Sequence, residues 1–206
     1  LPAKLMHSIF IASALLVVIG SLDDRFHLPA SVRLSSQIVA VLLMVYGAGF
    51  KLSDIGDPFG TGIISMGSFT LIFTTLVTLT MINAYNLVDG ADGLAGTLTL
   101  IALLSVALVS GLDHPSAAAA VTVSAAIIGF LVFNFPTPWN RRVRSFMGDA
   151  GSTMLGFAVV WITLGVSQGE ARVISPVHCL WFAAIPIFDC LTCFVRRAMK
   201  GKSPFS

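Results

Sequence analysis

The chain has 206 residues, of which 56% are hydrophobic and 11% are charged, and its net charge is +2. A soluble domain carries about 25% charged residues. The composition therefore excludes the soluble globular class and indicates a membrane protein, for which nucleic acid is not an expected partner.

Seven stretches, uncharged apart from Asp189 in the last, are each about as long as a bilayer-spanning helix, which needs roughly 17–25 residues. They occupy residues 5–22, 34–49, 68–88, 94–111, 116–133, 152–168 and 175–195. The connection 50–67 is rich in glycine and predicts turns or a short hairpin. The expected fold is an all-α membrane protein with about seven transmembrane helices, in a single integral-membrane domain over residues 1–206.

The basic residues are divided unequally between the two sides of this predicted bundle. Seven crossings place alternate connections on the same side, so that one side holds nine basic residues and the other holds three. Because cytoplasmic loops carry an excess of Lys and Arg, the richer side is expected to be cytoplasmic. The nine are Arg25, Arg33, Arg141, Arg142, Arg144, Arg196, Arg197, Lys200 and Lys202, and the three are Lys4, Lys51 and Arg172.

Five aspartates, which played no part in that assignment, fall on the same cytoplasmic side: Asp23, Asp24, Asp89, Asp92 and Asp149. Salt bridges with loop arginines are an alternative role for any single acid. Asp89 and Asp92, however, have no basic neighbour in sequence. The shared side therefore predicts an active-site cleft at the cytoplasmic face, in which the acids converge.

The segment 83–93 carries the densest set of polar side chains. Asn83, Asn86, Asp89 and Asp92 are spaced by threes, so a helix that continued through them would present them as one slowly drifting stripe. Amides and carboxylates are costly at a membrane edge unless something binds there. The segment predicts a site for a metal ion and a charged ligand.

The other acids and one aromatic residue each have an ordinary structural alternative. Asp23 and Asp24 follow an apolar stretch, and they are either a solvated helix end or a pair suited to Mg²⁺, which prefers carboxylate oxygens and commonly bridges to phosphate. Asp149 lies at the start of the sixth span, where it is either the N-cap or a metal ligand that recruits a phosphate. Phe146 either anchors the membrane interface or stacks on a base.

Several motifs, taken in order, closely resemble those of the polyprenyl-phosphate N-acetylhexosamine-1-phosphate transferases. The resemblance covers essentially the whole chain, and its ending favours the branch that transfers GlcNAc-1-phosphate to undecaprenyl phosphate. The motifs are D-D at 23–24, N-A-Y-N-L-V-D-G-A-D-G-L at 83–94, F-N-F-P at 133–136, F-M-G-D-A-G-S at 146–152, P-I-F-D at 186–189 and R-R-A-M-K-G-K-S-P-F at 196–205.

The resemblance implies roles for the residues that would bind the nucleotide and its cation. Asn86 and Asp149 match positions associated with Mg²⁺, for which Mn²⁺ is a substitute. Asp92 matches the residue that reads the uracil edge, and Phe146 matches the aromatic that stacks on uracil. Asn134 matches an asparagine of the cleft.

The resemblance also implies roles in the chemical step. Asp23 and Asp24 match the pair proposed to activate the lipid phosphate, and Asp89 matches an essential acid in the cleft. Arg33 stands where the family often has a basic residue, usually Lys, near the phosphates. Arg retains the charge but not the geometry of Lys.

The activity implied is transfer of a sugar-1-phosphate from a UDP-sugar to undecaprenyl phosphate, with release of UMP, at the bacterial inner membrane. The chain is expected to be a central fragment, since the family has further N-terminal helices and a histidine-rich loop beyond the end of this sequence. The fragment by itself is expected to be inactive if that loop is needed. The oligomeric state is left open, and a homodimer is one option.

Two other classes of protein use membrane aspartates. A cation- or proton-coupled transporter would carry its acids near the midplane, at broken helices. A CDP-alcohol phosphotransferase requires Ala-Arg soon after its first D-G, whereas Leu94, Ala95 and Gly96 stand there in this chain. The transporter is the stronger alternative to the transferase.

Overall fold

The computed structural model describes residues 3–135 and 145–201. Within these residues the chain is helical apart from its connections, and the prediction of an all-α membrane protein is confirmed. The helices are α1 (Ala3–Phe26), α2 (Ala30–Leu42), α3 (Thr70–Val88), α4 (Leu94–Ser110), α5 (Pro115–Asn134), α6 (Gly148–Ser167), α7 (Pro176–Cys179) and α8 (Ala184–Met199). Arg141, Arg142, Arg144 and residues 202–205, which entered the orientation and the resemblance, lie outside the described part.

Six helical segments of the described residues are long and apolar enough to cross a membrane. They are α1, α2 with the π-helical turn Leu43–Gly47 that follows it, α3 with the turn before it, α5, α6, and the segment Pro176–Met199. Helix α4 is apolar but has only 17 residues. Counting it, the prediction of about seven spans is confirmed.

Four predicted span boundaries, at residues 22, 34, 152 and 195, lie four residues inside the observed helices, and two of these errors concern the acids. Helix α1 continues past residue 22 to Phe26, so Asp23 and Asp24 lie in its last turn rather than after it. Helix α6 begins at Gly148 rather than at residue 152, so Asp149 lies in its first turn. These two predicted spans stopped short of a charged residue. A helix can continue past that residue when its terminal turn lies outside the hydrocarbon, as α1 and α6 do.

The predicted seventh span is not one regular helix. A single turn, α7, leads into a 3₁₀ turn at Leu180–Ala183, and α8 then begins at Ala184. Pro186 lies in the first turn of α8; its ring would clash with the carbonyl four residues earlier if the α-helix continued backwards, and its nitrogen has no proton to donate. The α-helical ladder is therefore interrupted just before it.

Helix α6 occupies the centre of the bundle. In its span 67% of the residues are buried, against 39% or less in the other five spans. It packs against α1, α3 and α4, and its buried side chains include Phe157 and Ile162. Both ends of α6 are therefore surrounded by the ends of other helices.

A polar cluster lies at the C-terminal end of α6. Residues 53–66 form a short antiparallel hairpin with a bridge between Asp54 and Ser65, as the glycine-rich connection predicted. The Arg172 guanidinium contacts both carboxylate oxygens of Asp54, at 2.6 Å from Oδ1. The Gln168 amide donates to the Asp54 carbonyl and accepts from the Ser53 N–H group. These contacts fasten the hairpin to the C-terminal end of α6.

Candidate active site

The end of the bundle where α6 begins gathers the residues that the sequence singled out. The C-terminal ends of α1, α3 and α5 meet there with the N-terminal ends of α2, α4 and α6, since successive spans run in opposite directions. We call this region the acidic end and define it by Asp23, Asp24, Asp89, Asp92 and Asp149. All nine candidate site residues lie in it.

Asp23 and Arg33 form the most buried ion pair of this region. Asp23 is only 4% exposed, and its Oδ1 accepts a hydrogen bond of 2.7 Å from the Leu28 N–H group. Its Oδ2 lies 3.1 Å from a guanidinium nitrogen of Arg33, on the first turn of α2. The same nitrogen lies 3.9 Å from Oδ2 of Asp149. Arg33 therefore bridges two of the predicted acids.

Asp24 contacts the start of α6 directly. Its Oδ1 accepts a hydrogen bond of 2.9 Å from the Asp149 N–H group, and its Oδ2 lies 3.5 Å from the Ala150 nitrogen. The N-cap residue of α6 is Met147, which makes no side-chain capping bond. Asp149 is thus not the N-cap of its own helix. The first N–H groups of α6, expected to receive a phosphate, are instead occupied by a carboxylate from α1.

Asn86 and Asp149 are in contact across the α3–α6 interface. The Asn86 amide nitrogen donates to Oδ1 of Asp149 at 2.7 Å and to the Ser152 hydroxyl at 3.1 Å. Ser152 is fully buried one turn further along α6, and its hydroxyl also donates to the Gly148 carbonyl. No role was predicted for Ser152, which was noted only within the motif at 146–152. Its place in the G-D-A-G-S motif was the available signal for this contact.

The stripe predicted over residues 83–92 is divided by the end of α3. The helix stops at Val88, and Asp89 and Asp92 lie in the turn that follows. The Asn83 amide donates to the Gln37 side-chain oxygen of α2 at 3.0 Å, whereas Asn86 contacts α6. The condition for one continuous stripe, a helix that runs through residue 92, is therefore not met, and the end of α3 at Val88 agrees with the predicted span 68–88.

The turn after α3 forms one wall of an open cavity of about 380 Å³. Asn134, 3% exposed, holds this wall: its Oδ1 accepts a bond of 2.7 Å from the Gly93 N–H group, and its amide donates to the Ser145 carbonyl at 2.7 Å. Phe146 lies on the other side and is 74% exposed, so its ring is open to a ligand. The cavity is lined by Asp89, Gly90, Ala91, Asp92, Asn134, Phe146 and Met147.

The pKa of Asp89 is shifted by burial and by the negative charges around it. Burial, together with the carboxylates of Asp149, Asp92 and Asp24, raises the pKa of Asp89 to about 6. A cation beside these groups would reverse the effect, since an opposite charge favours the ionised form. The acidic end therefore has the electrostatic character of a cation site.

The donors available to such a cation are few. Within the part of the chain that the structure describes, no three His, Cys, Asp or Glu side chains converge as a metal-binding group. Asp149 supplies carboxylate oxygens and Asn86 supplies an amide next to them. This set fits Mg²⁺, which usually takes one or two protein carboxylates and completes its shell with water and substrate phosphate. It does not fit an ion held entirely by protein.

The sequence model described as glycosyl transferase family 4 matches residues 6–167, which is more than half of the chain. The chain belongs to glycosyl transferase family 4. The matched residues include all nine candidate site residues and the helices α1 to α6 that position them.

Relatives named undecaprenyl-phosphate alpha-N-acetylglucosaminyl 1-phosphate transferase match over nearly the whole chain. The protein from Escherichia coli is 39% identical over 203 residues, covering 97% of this chain and 55% of its own length. The one from Yersinia pestis is 38% identical, covering 94% and 53%. The one from Haemophilus influenzae is 36% identical, covering 100% and 57%. The chain thus spans about half the length of these relatives.

For this member of glycosyl transferase family 4, the matched region includes the acidic end together with most of the bundle that carries it. The polar cluster of Asp54 and Gln168 lies at the opposite end of the same bundle. The family match extends over residues at both ends of the bundle, so the acidic end is distinguished by its geometry.

Proposed function

We propose that the intact protein transfers GlcNAc-1-phosphate from a UDP-sugar to undecaprenyl phosphate and releases UMP. The observation that carries the proposal is the meeting of four kinds of group at one end of the bundle: clustered carboxylates, a guanidinium, a side-chain amide and an exposed aromatic ring beside a cavity. The relatives' shared name gives the lipid acceptor and the sugar.

The cavity provides a place for the uridine part of the donor. The exposed ring of Phe146 is accessible for stacking on a base. Asp92, on the facing turn, can accept the imide N–H group of uracil. Asn134 supports both walls of the cavity, because its two hydrogen bonds join Gly93 to Ser145. We propose a positioning role for Asn134 and a contact role for Phe146 and Asp92.

The diphosphate of the donor would lie beside Asn86, Asp149 and Arg33. Asn86 and Asp149 are the residues we propose to hold Mg²⁺, and the ion would neutralise charge on the diphosphate. Arg33 is 42% exposed at its side chain and would add a fixed positive charge next to Asp149. Asp89 would keep this part of the site anionic when the substrate is absent.

The chemical step requires little beyond neutralisation and alignment. An oxygen of the lipid phosphate attacks the sugar-side phosphorus, a new P–O bond forms, and the bond between that phosphorus and the UMP oxygen breaks. Phosphoryl transfers of this type depend mainly on positioning and electrostatic stabilisation. This agrees with a site that contains carboxylates, an amide and an arginine.

We propose that the protein lies in the bacterial inner membrane with the acidic end facing the cytoplasm. The excess of basic residues on that side supports this orientation. A transporter would hold its acids near the midplane, at broken helices. Here Asp24 and Asp149 lie in the terminal turns of α1 and α6, which favours the transferase.

The test uses the intact protein with UDP-GlcNAc and undecaprenyl phosphate, with UMP release measured before and after EDTA treatment and again after Mg²⁺ is restored. We expect UMP release that requires both the lipid phosphate and the divalent cation. UMP release independent of the lipid would refute the assigned acceptor. Cation uptake into proteoliposomes without UMP release would favour the transporter.

A further inference from the structure

The contact between Asp24 and α6 joins the ends of two different helices. The first N–H groups of an α-helix have no partner within the helix, and a side-chain oxygen usually satisfies them from the preceding residue. In α6 this acceptor comes from Asp24, 125 residues earlier in the chain. Its two oxygens point at the nitrogens of Asp149 and Ala150, at 2.9 and 3.5 Å.

The backbone around this contact is shaped to admit it. Gly20 lies one turn before Asp24 on the same face of α1, and a Cβ atom there would lie 2.4 Å from the Ala150 Cα atom. Gly148 has φ +64°, and a Cβ atom there would lie 2.4 Å from Oδ2 of Asp24. A larger residue at Gly20 would meet the backbone of Ala150 and separate α1 from the start of α6, whereas one at Gly148 would displace the Asp24 carboxylate.

The same contact fixes the residue proposed to hold the cation. The N–H group that Asp24 accepts from belongs to Asp149 itself, whose carboxylate contacts Asn86 on one oxygen and approaches Arg33 with the other. Backbone and side chain of Asp149 are therefore held from three helices. A shift of the first turn of α6 would move this carboxylate away from Asn86.

We propose that Asp24 is a positioning residue that caps α6 from α1 and holds Asp149 in place for the cation, and that it is not the base that activates the lipid phosphate. The inference rests on the proposed function for the role of Asp149. This role differs from the one that the resemblance implied for Asp24. A base that activates the lipid phosphate needs an oxygen directed at that phosphate, whereas both oxygens of Asp24 are directed at backbone nitrogens of α6.

Three substitutions in the intact protein test the inference. Asp24→Asn keeps an acceptor for the Asp149 N–H group but cannot act as a base. Asp24→Ala removes the acceptor altogether. Gly20→Ala leaves the carboxylate intact and forces α1 away from α6. Ser21→Ala is the matched control on α1, because its exposed hydroxyl bonds only to the Val17 carbonyl.

Two measurements require no turnover. Hydrogen–deuterium exchange reports the protection of the first turn of α6, and titration with Mn²⁺ alone, followed by electron paramagnetic resonance, reports cation affinity. We expect Asp24→Ala and Gly20→Ala to raise exchange in that turn and to weaken Mn²⁺ binding about 10- to 100-fold, the usual effect of losing a group that orients a ligand. Asp24→Asn should change both measurements much less, and Ser21→Ala should change neither.

Activity provides the decisive contrast. We expect Asp24→Asn to release UMP at near wild-type rate once Mg²⁺ is saturating. A loss of about 10²- to 10⁴-fold at saturating Mg²⁺, with exchange and Mn²⁺ affinity unchanged, is what removal of a general base produces and would overturn the inference. Raised exchange in Asp24→Ala without weaker Mn²⁺ binding would also overturn it. If the wild-type protein releases no UMP, the proposed function fails while the exchange and Mn²⁺ results still decide the role of Asp24.

Discussion

Replacing Asn134 by alanine separates a structural role for this residue from a direct contact with substrate. The substitution removes the acceptor of the buried Gly93 N–H group and the donor to the Ser145 carbonyl, both at 2.7 Å. A buried group left without its partner costs about 1–3 kcal/mol. Ser145 is only half-buried, so water can replace part of its bond. We therefore expect a loss of about 2–4 kcal/mol.

A loss of this size should lower the midpoint of thermal unfolding by several degrees, since each kcal/mol shifts a domain of 150–250 residues by roughly 2–4 °C and a longer chain by less. The measurement is a thermal unfolding curve of the intact protein in detergent, followed by calorimetry with a UDP-sugar. We expect lower stability together with weaker nucleotide binding, since both walls of the cavity lose their support. Thr122→Ala is the control on the same helix, because its exposed hydroxyl bonds only to the Ala118 carbonyl. An unchanged midpoint with weakened nucleotide binding would refute the reasoning and make Asn134 a substrate contact.

Three further predictions concern the same region. Asp149→Asn should abolish UMP release at any practical Mg²⁺ concentration without lowering the unfolding midpoint, and normal activity with unchanged Mg²⁺ dependence would contradict it. Phe146→Ala should weaken binding of a UDP-sugar by about 1–3 kcal/mol in calorimetry, while Phe59→Ala, an equally exposed residue at the other end of the bundle, should have no effect. The pKa of Asp89 is raised to about 6, so its proton competes with the cation as pH falls through 6, and Mg²⁺ affinity should weaken there. In the cation-free protein the folded state binds this proton more tightly than the unfolded state does, so the free energy of unfolding should rise as pH falls through 6. Asp89→Asn should flatten both pH profiles, and an unchanged profile in this variant would reject the assignment.

The architecture of the bundle was predictable because uncharged length is nearly sufficient to identify a membrane span. The side of the membrane on which the acids lie was also predictable, since alternate crossings put Asp24, Asp89 and Asp149 on one side. The errors arose where charge was used to end a helix. Asp24 and Asp149 are helical, and only the packing of α1 against α6 shows why their charges are tolerated there.

The composition of the candidate site was predictable, but its pairings were not. Residue type and motif order were sufficient to predict Asn86, Asp149 and Phe146 as site residues. Which carboxylate accepts the first N–H group of α6, and which backbone groups Asn134 joins, depends on distances between segments far apart in the chain. The sequence indicated that the start of α6 could bind an anion, but not that Asp24 occupies it.

The contacts that hold the two ends of α6 limit the order in which the chain can assemble during synthesis. At one end Asp149 is joined to Asp24, 125 residues earlier, and just beyond the other end Arg172 is joined to Asp54, 118 residues earlier. Neither contact can form until α6 has left the ribosome and entered the bilayer, so the first five helices must wait without their central partner. Closing such long loops is slow. A ribosome that stalls before residue 148 would therefore leave Asp24 and the 53–66 hairpin without their partners, as a target for membrane quality control.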